Sequence, residues 1–215
     1  MSNRQPRGTI VRYNAGQRAN HWLVAIAFVL LTFSGLALFH PAFYWFSHLF
    51  GGGPWNRILH PFIGVFFVIV FAILAIRMWG DNRMRSADWK WLRNSGKVMR
   101  KQLDDVPESG RYNGGQKLLF CAQVLLTLGM LITGIIMWRD FFWGFFSVEV
   151  IRIASVLHAL FALLFILAII IHIYAGIWVK GSMRSMTRGT VTPGWAYKHH
   201  RAWYRKLIGT EPSSK

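Results

Sequence analysis

A single cysteine, Cys121, stands in 215 residues, so no disulfide framework can form and no cysteine cluster is available for an iron–sulfur centre. Acidic residues are nearly as scarce: eight, against 25 lysines and arginines, for a formal net charge of +17. Their positions matter more than their number. Four apolar runs, at about 22–39, 59–79, 117–138 and 153–179, carry no Asp or Glu in their interiors, which excludes a carboxylate relay for moving protons through them.

What is present is apolar. The chain is 53% hydrophobic and 16% aromatic, with only 15% charged residues, the composition of a small membrane protein rather than a soluble domain. Each run can cross a hydrocarbon core of about 30 Å. This predicts an all-α membrane protein, four transmembrane helices in a bundle, with 1–215 forming a single membrane domain. So high a charge invites a nucleic-acid reading, and its distribution answers it. Four basic residues precede the first run, ten lie from Arg77 to Lys117 and eight from Lys180 onward, against Arg57, Arg139 and Arg152 in the other two loops. The positive-inside rule then puts both termini, the 80–116 loop and the basic 180–215 tail in the cytoplasm. No nucleic acid is needed to account for the charge. About twenty polar residues precede the first run without a small-residue cleavage site, so it reads as an uncleaved anchor.

Two histidines, His158 and His172, interrupt the run at 153–179. At about 100° and 1.5 Å per residue, their spacing leaves them roughly 40° apart in direction and roughly 21 Å apart along the axis. They share a face and lie near opposite ends. An ionisable side chain inside a span is a functional hypothesis by default, and imidazole ligates haem iron. A lone histidine is more simply a hydrogen-bonding partner for a neighbouring helix, but a spaced pair is what two haems stacked across a bilayer require. There is no C-x-x-C-H motif, so such haems are held by coordination and packing.

RYNAGQ at 12–17 recurs as RYNGGQ at 111–116, an offset of 99 that continues in Ser34-Gly35 against Thr133-Gly134. His60 aligns with His158 at an offset of 98. The chain therefore reads as a duplicated helical hairpin, in which His21 and His172 are additions of one half each. With both hairpins entering from the cytoplasm, His60 and His158 lie near the outer face and His21 and His172 near the cytoplasmic one. Levels pair His60 with His158 and His21 with His172, giving two bis-histidine haems that share the fourth helix. The residue four on from each ligand is small: Ala25, Gly64, Ala162 and Gly176. Gly35, fourteen after His21, falls at the outer level. A flat macrocycle against a helix needs such gaps, and helix–helix contact in membranes uses them as well.

The remaining histidines read as non-ligands. His40 and His48 sit in an outer loop with Phe43, Tyr44, Trp45, Phe46 and Phe50, an interfacial aromatic belt. His199 and His200 fall on a basic, solvated tail. Trp89, Trp91 and Leu92 among Arg93, Lys97 and Arg100 predict a surface helix in the middle loop. Asn14 with Gln17, and Asn113 with Gln116, have capping-box spacing, which alone explains the repeat. Asn113 and its glycines also open the third helix at the level of the cytoplasmic haem, where a ligand could approach. On chemistry alone both readings stand.

RILHPFIG at 57–64, RYNGGQK at 111–117, IIIHIYAGIWVKGSM at 169–183 and WAYKHHRAWY at 195–204 together resemble the gamma subunit, a cytochrome b, of membrane-bound respiratory formate dehydrogenases. The likeness covers nearly the whole chain. It implies two non-covalent b haems, with ligands at positions matching His21, His60, His158 and His172, in a bacterial inner membrane. It also implies an iron–sulfur beta subunit docked outside, fed by a molybdenum- or tungsten-containing alpha subunit that oxidises formate. The resemblance further implies reduction of menaquinone or ubiquinone at a cytoplasmic-side site matching Asn113, Gly115 and His172. The alternative is a cytochrome b of a related hydrogenase or thiosulfate reductase, or a stand-alone di-haem cytochrome b. A zinc-dependent membrane enzyme needs three converging ligands, which two separated pairs do not provide. A plain membrane anchor leaves the histidine register unexplained.

Overall fold

The computed structural model describes residues 8–100 and 106–209. Residues 1–7, 101–105 of the 80–116 loop and 210–215 of the 180–215 tail lie outside the described residues. The chain runs through β1 (Ile10–Val11), α1 (Ala15–Phe39), a 3-10 helix (Pro41–Phe50), α2 (Gly53–Asn82), α3 (Ser86–Arg93) and α4 (Ser95–Met99). It continues with α5 (Gly114–Met137), α6 (Arg139–Phe142), α7 (Val148–Trp178), α8 (Ser182–Thr187), β2 (Thr190–Val191), α9 (Pro193–His199) and α10 (Arg201–Ile208). Four helices, α1, α2, α5 and α7, are long and apolar enough to cross a membrane. The protein is thus a multi-pass membrane protein built almost wholly of helix.

Each long helix starts ahead of its apolar run, because capping rather than hydrophobicity sets the boundary. At the head of α1 the Gln17 amide donates to Asn14 Oδ1 at 2.8 Å and the Asn14 amide to Gln17 Oε1 at 3.0 Å. The head of α5 repeats this with Gln116 to Asn113 Oδ1 at 2.9 Å and Asn113 to Gln116 Oε1 at 3.1 Å. Both are capping boxes, satisfying amides that a helix start leaves open. At α7 the Ser147 hydroxyl accepts from the Val150 amide. In α2, Pro54 occupies the first turn, where a missing N–H costs nothing, while Pro61 inside the helix cannot donate to the Arg57 carbonyl. The extended helices take Asp81 and Glu149 into their terminal turns, and their middles hold no acid.

The chain divides into two compact units. One comprises Ala19–Ile76 and Ala122–Ile171. Its core is aromatic: Ala27, Phe67, Phe71 and Phe165 are buried, with Phe28, Leu31, Val124, Met130 and Ile169 packed around them. The Phe165 ring centre lies 5.0 Å from that of Phe28 and 5.9 Å from that of Phe67. Outward faces stay apolar. Leu163, Leu167 and Ile170 of α7 are all more than half exposed, a continuous apolar surface of the kind that lipid covers.

The other unit comprises Met1–Arg18, Arg77–Cys121 and His172–Lys215. Here the two RYN repeats meet. Arg12 Nη2 donates to the Arg111 carbonyl at 2.7 Å and Arg111 Nη2 to the Arg12 carbonyl at 2.6 Å, while the Tyr13 and Tyr112 hydroxyls lie 3.1 Å apart. The duplication visible along the chain is therefore a reciprocal clasp in space. Burial and the neighbouring Tyr13 hold the Tyr112 phenol above its usual range, so it stays a protonated partner. The Arg12 guanidinium stacks 4.7 Å from the Trp195 ring and 5.5 Å from Trp203, fixing the C-terminal helices to the N-terminal arm by cation–π contact. β1 pairs antiparallel with β2, Ile10 opposite Val191. Gly189, before β2, has φ +78°, and a Cβ there would stand 2.5 Å from the Tyr13 carbonyl, so only glycine fits. The middle loop does contain helices, α3 and α4. Lys117 Nζ, at the head of α5, bonds Asp88 Oδ2 of α3 at 2.7 Å and the Arg83 carbonyl at 3.1 Å.

The tail departs from its expected character at one residue. His200 is 2% exposed, not solvated. Its Nδ1 donates to the Gly110 carbonyl at 2.8 Å and its ring lies 5.0 Å from that of Trp195. Burial first, then the Arg12 charge, lower its pKa from 6.5 to about 3. The folded protein therefore holds it neutral while the unfolded chain protonates it near 6.5. The resulting stability is complete above pH 6.5 and is lost as pH falls from there toward 3, at about 1.4 kcal/mol per pH unit. Melting of the detergent-solubilised protein should occur at lower temperature at pH 5.5 than at 7.5, and His200→Phe should flatten that difference. An unchanged acid slope in the variant would assign the effect elsewhere.

Candidate functional site

His60 of α2 and His158 of α7 face each other, their ring centres 6.4 Å apart and their planes at 71°. Each has one hydroxyl partner: Ser34 Oγ lies 2.7 Å from His60 Nδ1, and Thr133 Oγ1 lies 2.8 Å from His158 Nδ1. Both hydroxyls also reach back into their own helices, Ser34 to the Leu30 carbonyl at 2.8 Å and Thr133 to the Gly129 carbonyl at 2.7 Å. A hydroxyl has a single proton. With that proton directed at a helix carbonyl, the oxygen can only accept from the imidazole, so Nδ1 carries the hydrogen in both rings. The lone pair is then on Nε2, the nitrogen left to ligate.

This arrangement fits a six-coordinate iron. An imidazole nitrogen sits about 2.0 Å from a bound metal and roughly 1.1 Å from its own ring centre, so two imidazoles on opposite sides of one iron have centres about 6.3 Å apart. Space around the rings is kept by glycine. A Cβ on Gly35 would lie 3.3 Å from His60 Cε1, and one on Gly134 would lie 3.5 Å from His158 Cε1. Sequence reasoning pointed to Gly35 at this level but missed Ser34 and Thr133 as ligand partners. The signal for them was the same 99-residue offset that aligned the halves. Seven residues on from each histidine, about two turns or ~10 Å along the same helix face, stand Phe67 and Phe165 of the aromatic core. Of the other small residues, Gly64 would bring a Cβ to 3.9 Å from Leu31 and Gly176 to 3.6 Å from the Met183 sulfur. Both lie against the chain's own side chains.

The remaining site candidates are distributed differently. His21 lies in the same unit as His60 and His158, early in α1, its ring edge-on to Trp22 at 5.7 Å. His172, in the last third of α7, is exposed along the helix. It belongs to the unit that contains Asn113 and Gly115. Asn113 spends its Oδ1 on the α5 cap, which leaves the Nδ2 amide as its donor. The adjoining glycines have a packing reason of their own. A Cβ on Gly114 would be 2.6 Å from the Asp88 carbonyl, and one on Gly115 would be 3.2 Å from the Trp91 ring. Their smallness lets α3 close on the head of α5. His40 caps the 3-10 helix, its Nδ1 accepting from the Ala42 amide. Among the described residues no three His, Cys, Asp or Glu side chains converge on one point.

Comparison with known proteins gives the chain its relatives. A family model described as prokaryotic cytochrome b561 matches residues 12–189. The chain is 42% identical over 204 residues to the formate dehydrogenase cytochrome b556(fdo) subunit of Escherichia coli strain K12, covering 95% of this chain and 96% of that one. It is 39% identical over 199 residues to the formate dehydrogenase cytochrome b556 subunit of Haemophilus influenzae, covering 93% and 84%. With the nitrate-inducible formate dehydrogenase cytochrome b556(Fdn) subunit of Escherichia coli strain K12 it shares 37% over 202 residues, 94% and 93% of the two chains.

Proposed function

This chain belongs to the prokaryotic cytochrome b561 family, and from that premise we propose that it is the di-haem cytochrome b subunit of a respiratory formate dehydrogenase, carrying electrons across the bacterial inner membrane to a quinone. The observation that carries the reading is the facing pair His60 and His158, their ring centres 6.4 Å apart and each Nδ1 within hydrogen-bond distance of a buried hydroxyl. His60 and His158 hold the outer haem, and His21 and His172 the cytoplasmic one, the second assignment resting on sequence and topology. Bound there, b haems supply one-electron transfer between a donor and a two-electron acceptor.

The chain's own residues do the rest. The apolar helices that carry His60 and His158 would keep water from that pair, and the aromatic layer of Phe28, Phe67 and Phe165 fills the bundle beyond it. Asn113, Gly115 and His172 bind quinone, menaquinone or ubiquinone, with the Asn113 Nδ2 amide as the donor to a quinone carbonyl. Protons come from the cytoplasmic side, since the helix middles contain no carboxylate to bring them from outside. Electrons enter from an iron–sulfur beta subunit at the outer face, and formate is oxidised in a molybdenum- or tungsten-containing alpha subunit. Isolation of the native chain in mild detergent should therefore bring with it an iron–sulfur protein and formate-oxidising activity. Recovery with a hydrogenase or thiosulfate reductase instead, or alone and monodisperse, would replace the formate assignment.

A further inference from the structure

Ser34 and Thr133 occupy equivalent places in the two halves and are shielded from water, 0% and 4% exposed. Each does more than fix a tautomer. A buried oxygen accepting from Nδ1–H draws that proton partly out of the ring and enriches the lone pair on Nε2. A richer lone pair favours the more positive, oxidised state of the iron it ligates. A carboxylate partner would do this strongly and an absent partner not at all. A neutral hydroxyl, already polarised by donating to a helix carbonyl, lies between. Because neither oxygen meets solvent, water does not replace it when it is removed.

We propose that Ser34 and Thr133 are positioning residues that set the reduction potential of the haem held by His60 and His158, each lowering it through the histidine it orients. The inference rests on the haem reading given above. The two halves differ in what holds the backbone beneath the hydroxyl. Asn56, fully buried, donates through Nδ2 to the Ser34 carbonyl at 3.0 Å. Its counterpart at an offset of 98 is Ala154, which has no such group. The backbone under Ser34 is thus pinned independently of its side chain, and Ser34→Ala reports the loss of the hydroxyl alone.

The test is a redox titration of the purified complex, followed optically and by low-spin electron paramagnetic resonance, on Ser34→Ala, Thr133→Val and the double variant. Ser34→Thr and Thr133→Ser, which keep a hydroxyl, are the controls. Each hydroxyl-removing variant should shift the outer haem toward reduction by three- to tenfold in its reduced-to-oxidised ratio, tenfold being about 59 mV for one electron. The double variant should add the two shifts, the other haem should not move, and the controls should stay at the unsubstituted potential. Loss of the outer haem from the hydroxyl-removing variants but not the controls would equally support the assignment. An unmoved outer potential, or the same shift or haem loss in the controls, would overturn it. Absence of any bis-histidine low-spin signal from the unsubstituted complex would instead remove the haem reading, and this inference with it.

Discussion

Replacing His60 or His158 by alanine is expected to abolish the outer haem and leave the cytoplasmic one, halving the haem-to-protein ratio in each case. His21→Ala and His172→Ala should do the converse. The effect is all-or-none because the cofactor has no thioether link to fall back on: the only cysteine, Cys121, is not part of a haem-attachment motif. With one axial ligand gone, low-spin coordination cannot persist. At the outer site the loss should be the same from either side, since Ser34 and Thr133 hold the two rings alike. The variants separate the sites because His60 and His158 make their contacts with each other, while His158 and His172 sit fourteen residues apart on one helix. A redox titration resolves which haem remains. Two normal low-spin haems after any single change would break the pairing.

Quinol formation should fall by roughly five- to 150-fold on changing Asn113, with both haems still reducible by the donor. One hydrogen bond to a reacting carbonyl is worth about 1–3 kcal/mol, and every 1.4 kcal/mol is a factor of ten. The substitution has to respect the cap, because Asn113 Oδ1 bonds the Gln116 amide at the head of α5, and losing a cap costs about 1 kcal/mol of helix stability. Asn113→Asp keeps the capping oxygen and exchanges the Nδ2 donor for a second, anionic acceptor oxygen, whereas Asn113→Ala removes cap and donor together. Slow quinol formation in both variants would place the defect at the acceptor; a defect in the alanine variant alone would make Asn113 a cap and nothing more. The same chemistry has an electrical consequence. Electrons entering outside and meeting protons taken from the cytoplasm carry charge across most of the bilayer, worth about 2.3 kcal/mol per charge for each 100 mV. Turnover in vesicles should make the side bearing the termini negative. Electroneutral turnover would contradict this direction of flow.

Much of this organisation was legible before any coordinates. Four helices follow from apolar length, and the repeat of RYNAGQ as RYNGGQ follows from inspection of the sequence, because both are properties of residues near one another in the chain. What stayed hidden depends on rotation and on long-range contact. The offset marked Ser34 and Thr133 as equivalent without saying that both turn toward a histidine on the next helix, 26 and 25 residues on. Nor could it say that Arg12 and Arg111 bond each other's carbonyls. Composition misled at His200, where a basic neighbourhood reads as solvated. The stacking of Arg12 on Trp195 and Trp203 closes that face and buries the ring. The apolar runs mark the membrane, whereas Asn14, Asn113 and Ser147 mark where the backbone begins to coil.

The central claim, that this chain holds two b haems between histidine pairs, is tested most directly by the reduced-minus-oxidised absorption spectrum of the purified protein together with its haem content. The account predicts a low-spin b-type spectrum with two non-covalently bound haems per chain, both extracted by acidic acetone. A chain that purifies folded without haem, or whose haem is high-spin with an open axial position, would contradict it.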